Sequence, residues 1–198
     1  MFLETNAKFS LVAALRYRFQ RCGWFSEQDA CMFAPIAVNF LKDISASVPP
    51  CVVFCVINTF FNGWATSARF QSHDKNCLLC SECQGNDSLE HYACCLFAWK
   101  TFSRKFRTSV FPCGMSRFLG LTTEDIDTKV LHACHMFAVK RAVDMRRREG
   151  TVSGPEQVNA LIWQGYKTAS MYHKGLAKKF IQMWTNSYFS DHRLLGDL

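Results

Sequence analysis

The sequence predicts an all-α fold, a helical array with one small cysteine-rich loop packed at the start of a helix. Three observations carry this expectation. Apolar residues recur at three- and four-residue steps through most of the chain, which is the period of a helix with one buried face. Helix start and stop signals bracket these runs, and strand patterns are nearly absent apart from a short ribbon at the cysteine-rich loop. A hydrophobic content of 49% over 198 residues, with 18 Phe and 5 Trp, supplies a real core and excludes a disordered chain.

The elements follow in order. Helices are expected near residues 7–21, 27–45 and 51–68, the last opening after Pro49-Pro50. Asp87 followed by Glu90 has the form of a capping box, so the next helix should begin at about Ser88. Its apolar face is Tyr92, Cys95, Trp99, Phe102 and Phe106, with Lys100, Arg104 and Arg107 together on one flank. A long helix should run from about Thr123 to Glu149, with Thr122 as cap, Arg146-Arg147-Arg148 in its last turn and Gly150 as a stop. Its buried stripe is Ile126, Val130, Cys134 and Phe137, which leaves His132 and His135 on the polar flank. A last helix from Pro155 to about Asn186 presents Val158, Ile162, Ala169, Leu176, Phe180 and Trp184. The chain thus divides into 1–70, 71–110 and 111–198: an N-terminal helical segment, the loop with its following helix, and a helical tail.

Between Cys77 and Cys95 lie five of the eleven cysteines and one of the six histidines, within nineteen residues. Soft thiolates and an imidazole at this density suit a tetrahedral zinc site. The odd cysteine count and the crowding argue against a secreted disulfide framework and for a reducing compartment, nuclear or cytoplasmic. With the helix starting at Ser88, His91 and Cys95 fall one turn apart on one face. The favoured ligand set is Cys77, Cys80, His91 and Cys95. Cys83 and Cys94 remain alternates, because Cys80-x2-Cys83 is an equally good knuckle and Cys94 is also within reach of His91. Four protein ligands make the zinc structural, since a catalytic ion keeps an open position. A redox Cys-x-x-Cys would want a thioredoxin-like strand–helix context, which the sequence lacks.

The remaining features set limits. The apolar run from Val52 to Phe61 is about half the length of a membrane span, and the first residues lack the pattern of a signal peptide, so no membrane role is expected. A net charge of +7 fits a nucleic-acid partner without requiring one. The basic residues Lys100, Arg104, Arg107, Arg146, Arg147 and Arg148, with Lys105, Lys140 and Arg141 beside them, are the candidates for phosphate contacts. No constellation for a small-molecule substrate stands out.

The run Cys77-Leu-Leu-Cys80, then Asp87-Ser-Leu-Glu-His91-Tyr-Ala-Cys-Cys95 and Trp99, resembles the zinc-binding segment at the C-terminal end of non-LTR retrotransposon reverse transcriptases. The resemblance covers roughly residues 69–99; the His-to-Cys spacing is on the short side, and Cys83 adds a ligand. It implies thumb-proximal helices before a zinc knuckle and a tail after it. It also implies a non-catalytic role, because the aromatic-x-Asp-Asp polymerase turn of that family is missing and no nuclease-like acidic core is present. The expected function is therefore a zinc-stabilised, nucleic-acid-binding C-terminal portion of a retroelement reverse transcriptase-like protein, with the phosphate backbone of RNA or DNA as partner. The competing expectation is a zinc-stabilised helical protein-interaction scaffold that binds no nucleic acid.

Overall fold

A computed structural model describes residues 10–70, 76–80, 83, 85–106, 114–123, 125–149 and 155–171; the side chains of 102–106, 149, 155 and 170 lie outside that description. Within it the protein is all-α. The one departure is an isolated antiparallel bridge between Asn76 and Asn86, the ribbon expected at the loop.

Helix α1 (Leu11–Arg21) is capped by Ser10, whose hydroxyl accepts from the Ala13 N–H, and it buries Leu15 and Phe19. Helix α2 (Glu27–Ser45) is capped by Ser26, and Glu27 and Asp29 in its first turn complement the helix dipole. Its inward stripe of Ala30, Ala34, Ala37, Phe40, Leu41 and Ile44 follows the helical period, and its bounds coincide with the expected 27–45.

Helix α3 (Pro50–Phe60) opens on the proline pair but ends well before residue 68. Asn62 takes a left-handed φ of 51°, and Gly63 donates to the Asn58 carbonyl at 2.6 Å. Arg18 also donates to the Phe61 carbonyl at 2.7 Å, so an orphan acceptor at this helix end is filled from α1. A single turn, α4 (Ser67–Phe70), follows.

After the cysteine-rich loop come α5 (Leu89–Cys94), α6 (Leu96–Phe106) and the short α7 (Met115–Phe118). Gly120 has φ of +69°, and a Cβ there would meet the Phe40 ring at 2.6 Å, so both backbone and packing select glycine. Helix α8 (Ile126–Glu149) starts three residues later than expected. Its cap is Asp125 rather than Thr122, with Asp125 Oδ2 accepting from the Thr128 N–H at 2.8 Å and from its hydroxyl at 2.7 Å. Helix α9 (Pro155–Ser170) begins on its proline as expected; Leu176, Phe180 and Trp184 lie outside the described residues.

Helix α8 is the centre of the fold, packing against α2, α3 and α9. It buries residues on almost every face, from Val130 to Val143, as a helix surrounded by others must. Its contact with α9 is backbone-close: a Cβ at Gly165 would sit 2.8 Å from the Ala138 Cα. Residues from all three expected segments, from Leu15 through Leu79 to Ala169, belong to one hydrophobic core. Among the described residues no helix is long and apolar enough to cross a membrane.

The central position of α8 overturns one expectation. His132 and His135 were expected on a polar flank, yet both are buried. The His135 ring lies 4.8 Å from Trp99, and its Nδ1 is 2.6 Å from the Tyr166 hydroxyl of α9. A polar side chain marks the solvent face only when a helix has one, and here α9 and the start of α6 cover it.

Candidate metal centre

The loop from Asn76 to Asn86 is closed at its neck by the Asn76–Asn86 bridge and rests on α5. Leu79 anchors it, fully buried in the hydrophobic core. The Leu78 N–H donates to the Tyr92 hydroxyl at 3.4 Å. Ser88 caps α5 by accepting from the His91 N–H at 3.1 Å. The expected capping box put that role on Asp87, but the neighbouring serine takes it.

The Sγ atoms of Cys77, Cys80, Cys83 and Cys95 all lie within 4.8 Å of one another, and those of Cys77 and Cys80 are 3.9 Å apart. A tetrahedral ion with bonds to sulfur of about 2.3 Å sets its sulfurs roughly 3.8 Å apart, so the four thiols are spaced for one ion. Three of the favoured ligands, Cys77, Cys80 and Cys95, are in this group, and the alternate Cys83 is the fourth. His91 stands at its edge, with Nε2 3.2 Å from Cys83 Sγ. A Cβ at Gly85 would fall 2.0 Å from His91 Nδ1, so only glycine lets the ring sit against the loop. The protein thus offers four sulfurs and an imidazole within hydrogen-bond reach of both Cys83 and Cys77. Cys94 is exposed at the end of α5 and lies outside the group.

Cys95 is the C-cap of α5, one turn beyond His91, with a helical φ of −62° and its N–H donating to the Tyr92 carbonyl. Its thiol is almost fully buried in the cluster. A ψ of 111° then turns the chain away, so that the expected single helix breaks here and α6 begins at Leu96.

The hydrogen bond between Cys77 and Cys95, then burial, pushes the Cys77 thiol up to about 11. Burial, then the hydrogen bond with Cys83, pushes Cys80 up to about 12. Without a cation these thiols stay protonated at neutral pH, the opposite of an activated redox or nucleophilic cysteine. A coordinated divalent cation reverses that balance, because the ligand form is the thiolate.

Behind the loop sits a carboxylate whose role the sequence did not reveal. Asp87 is 1% exposed. Its Oδ2 accepts from the Ser67 N–H at 2.7 Å, the Ser67 hydroxyl at 2.6 Å and the Arg147 guanidinium at 2.6 Å, and its Oδ1 accepts from the Tyr92 hydroxyl at 2.6 Å. Burial opposes the charge, but the bonds from Ser67, Tyr92 and Arg147 outweigh it and hold the carboxyl below its usual range. Arg146, itself buried, donates to the Leu78 carbonyl at 2.9 Å. Two arginines expected to meet phosphates therefore fasten the last turn of α8 to the loop.

Asp87→Asn should destabilise the protein by about 3–5 kcal/mol, the range for breaking a buried ion pair from one side. Urea unfolding at neutral pH measures it, and a loss below about 1 kcal/mol would mean that the hub is dispensable. Because the folded carboxyl is held low, its contribution is complete above the unfolded value near 3.9 and is lost as pH falls through the lower folded value.

Of the other candidate phosphate contacts, Lys100 is exposed on α6 and Arg148 is exposed at the end of α8. The side chains of Arg104 and Arg107 lie outside the described residues.

Comparison with protein-family models, with curated proteins and with solved structures finds no match for the chain. The site is therefore read from its own geometry.

Proposed function

We propose that the cluster holds one structural Zn2+, and that the chain is a non-catalytic, nucleic-acid-binding C-terminal portion of a retroelement reverse transcriptase-like protein. The observation that carries the metal reading is the convergence of four sulfurs within 4.8 Å, from two chain segments, with an imidazole at their edge. Thiolate donors with a neighbouring imidazole suit zinc better than harder cations, and full protein coordination suits a structural ion. When bound, the ion would pin residues 77–83 to the junction of α5 and α6. The nucleic-acid reading is supported by the resemblance of the Cys77–Trp99 segment, by the net charge of +7, and by exposed basic residues such as Lys100, Arg141 and Arg148.

One observation favours the second reading, a zinc-stabilised scaffold for protein partners. Arg146 and Arg147 are engaged inside the fold, which removes part of the basic stripe.

Metal analysis of the purified chain, together with binding to a structured RNA and a nicked duplex over a salt series, tests both layers. One zinc per chain is expected, lost in Cys80→Ser. His91→Ala decides the corner: retained zinc assigns it to Cys83, and lost zinc assigns it to His91. No zinc in the parent protein overturns the metal reading. Absence of affinity even at low salt overturns the nucleic-acid reading and leaves the scaffold.

A further inference from the structure

Along the second half of α8, up to the turn whose Arg146 and Arg147 hold the cysteine loop, α3 and α8 leave an open groove of about 400 Å³ between them. Its α3 wall carries Phe54 and Asn58; its α8 wall carries Phe137, Lys140, Arg141 and Arg148. Phe54 is 64% exposed, on the solvent side of α3 with Cys51 and Ile57. Lys140 is paired with Asp144 one turn along. Arg141 and Arg148 are exposed and enter no ion pair among the described residues. Seven residues apart on one helix, they stand two turns, or about 10 Å, from each other. The groove therefore joins an aromatic face, an amide able both to donate and to accept, and two cations held by one rigid element.

We propose that this groove seats a single-stranded nucleic acid, with phosphates on Arg141 and Arg148 and an unstacked base on Phe54. The proposal rests on the nucleic-acid reading above and gives it a location. The charge is complementary to a backbone of phosphates. A flat ring beside cations is the combination that single strands use, since every base has a face to stack and the backbone supplies the charge. Asn58 is placed to meet a base edge. An amphipathic peptide helix fits less well, because it needs a row of apolar anchor pockets, and here the apolar lining of Phe54, Phe137 and Met145 is interrupted by Asn58, the Lys140–Asp144 pair and two exposed arginines. A duplex fits less well again, because its bases present no free face.

The test uses the full chain and labelled oligothymidylate and oligouridylate of about 12 nucleotides, within the span that single-strand sites cover. Phe54→Ala should weaken binding about tenfold with little change in salt dependence, the loss of one stacked base. The double variant Arg141→Gln/Arg148→Gln should lower the slope of log affinity against log salt by about 1.4, roughly 0.7 for each phosphate no longer neutralised. The matched double variant Arg16→Gln/Arg21→Gln, on α1, should change neither quantity. All of these side chains are exposed, so the fold does not depend on them. The oligonucleotide should also slow alkylation of Cys51, exposed at the groove, and leave exposed Cys31, which does not line it, unchanged.

If the parent protein binds and the groove variants bind equally well with the same slope, the groove is overturned while the nucleic-acid reading stands. If the parent protein does not bind these single strands at low salt, the groove proposal is overturned, and the nucleic-acid reading rests on the structured RNA and nicked duplex alone. If an acidic peptide protects Cys51 and the oligonucleotides do not, the groove belongs to a protein partner and the proposal is overturned.

Discussion

Chelation of the zinc-loaded protein is expected to melt the segment from Asn76 to Cys95 and to leave the α2–α3–α8–α9 core folded. The loop has little of its own to hold it: one isolated bridge, the buried Leu79, and hydrogen bonds to Tyr92 and Arg146, with the Asp87 hub behind it adding a few kcal/mol, less than the ion supplies. Four buried or half-buried thiols brought within 4.8 Å make only weak sulfur hydrogen bonds until a cation displaces their protons. Structural zinc sites contribute on the order of 10–16 kcal/mol at neutral pH, comparable with the whole stability of a domain. The core depends much less on the ion, because its main helix packing lies among α1, α2, α3, α8 and α9.

Amide hydrogen exchange with and without chelator gives the readout. Protection should fall at Leu78, Leu79 and through α5, and also in the last turn of α8, where Arg146 and Arg147 lose their acceptors. Unchanged exchange at Leu79 and Tyr92 would show that the ion does not hold the loop. Cys77→Ser should reproduce the chelated pattern at any zinc concentration that leaves the parent protein saturated.

A second large effect is expected from the buried histidines. Burial, then the neighbouring His132, pushes His135 down to about 3, and burial, then Arg117, pushes His132 down to about 4. Both are therefore neutral in the folded protein. Above the ordinary value near 6.5 they are neutral in the unfolded chain too, and stability is complete. As pH falls below 6.5 the unfolded chain binds protons that the folded one refuses. Each histidine then removes about 1.4 kcal/mol per pH unit until its folded value is reached. Thermal unfolding between pH 7 and 4.5 should show this steep loss. Acid also protonates zinc ligands, so the decisive comparison is His132→Phe, which should flatten the dependence by one histidine's share in chelator-treated protein. An identical slope in the variant would place His132 in an environment as wet as the unfolded chain.

The parts of this fold legible in the sequence are those set by local chemistry. Pro155 marks a helix start through its fixed dihedral, and α2 and the start of α9 stand where the sequence put them. The density of cysteines between 77 and 95 pointed to the cluster because sulfur ligands must be close in space, and closeness in sequence often supplies it. The illegible parts depend on partners far along the chain. Asn62 ends α3 where periodicity alone continues it. The break after Cys95 splits what periodicity reads as one helix into α5 and α6, and no spacing of apolar residues marks it. His132 and His135 face inward because α9 and Trp99 lie over them, and no spacing within α8 carries that information. Arg146 and Arg147 look like a solvated basic end until Leu78 and Asp87, some sixty residues earlier, are placed beside them.

Asp87 draws together positions that lie far apart in the chain: Ser67 before the loop, Tyr92 after it and Arg147 at the far end of α8. Inheritance acts on such a group as a single character. Losing Asp87 strands the buried Tyr92 hydroxyl, and losing Tyr92 or Arg147 takes a donor from the buried carboxylate, so substitutions at these positions are expected to be coupled. A lineage still using the cysteine loop should show these four drifting together, and one that has abandoned it should lose them without order.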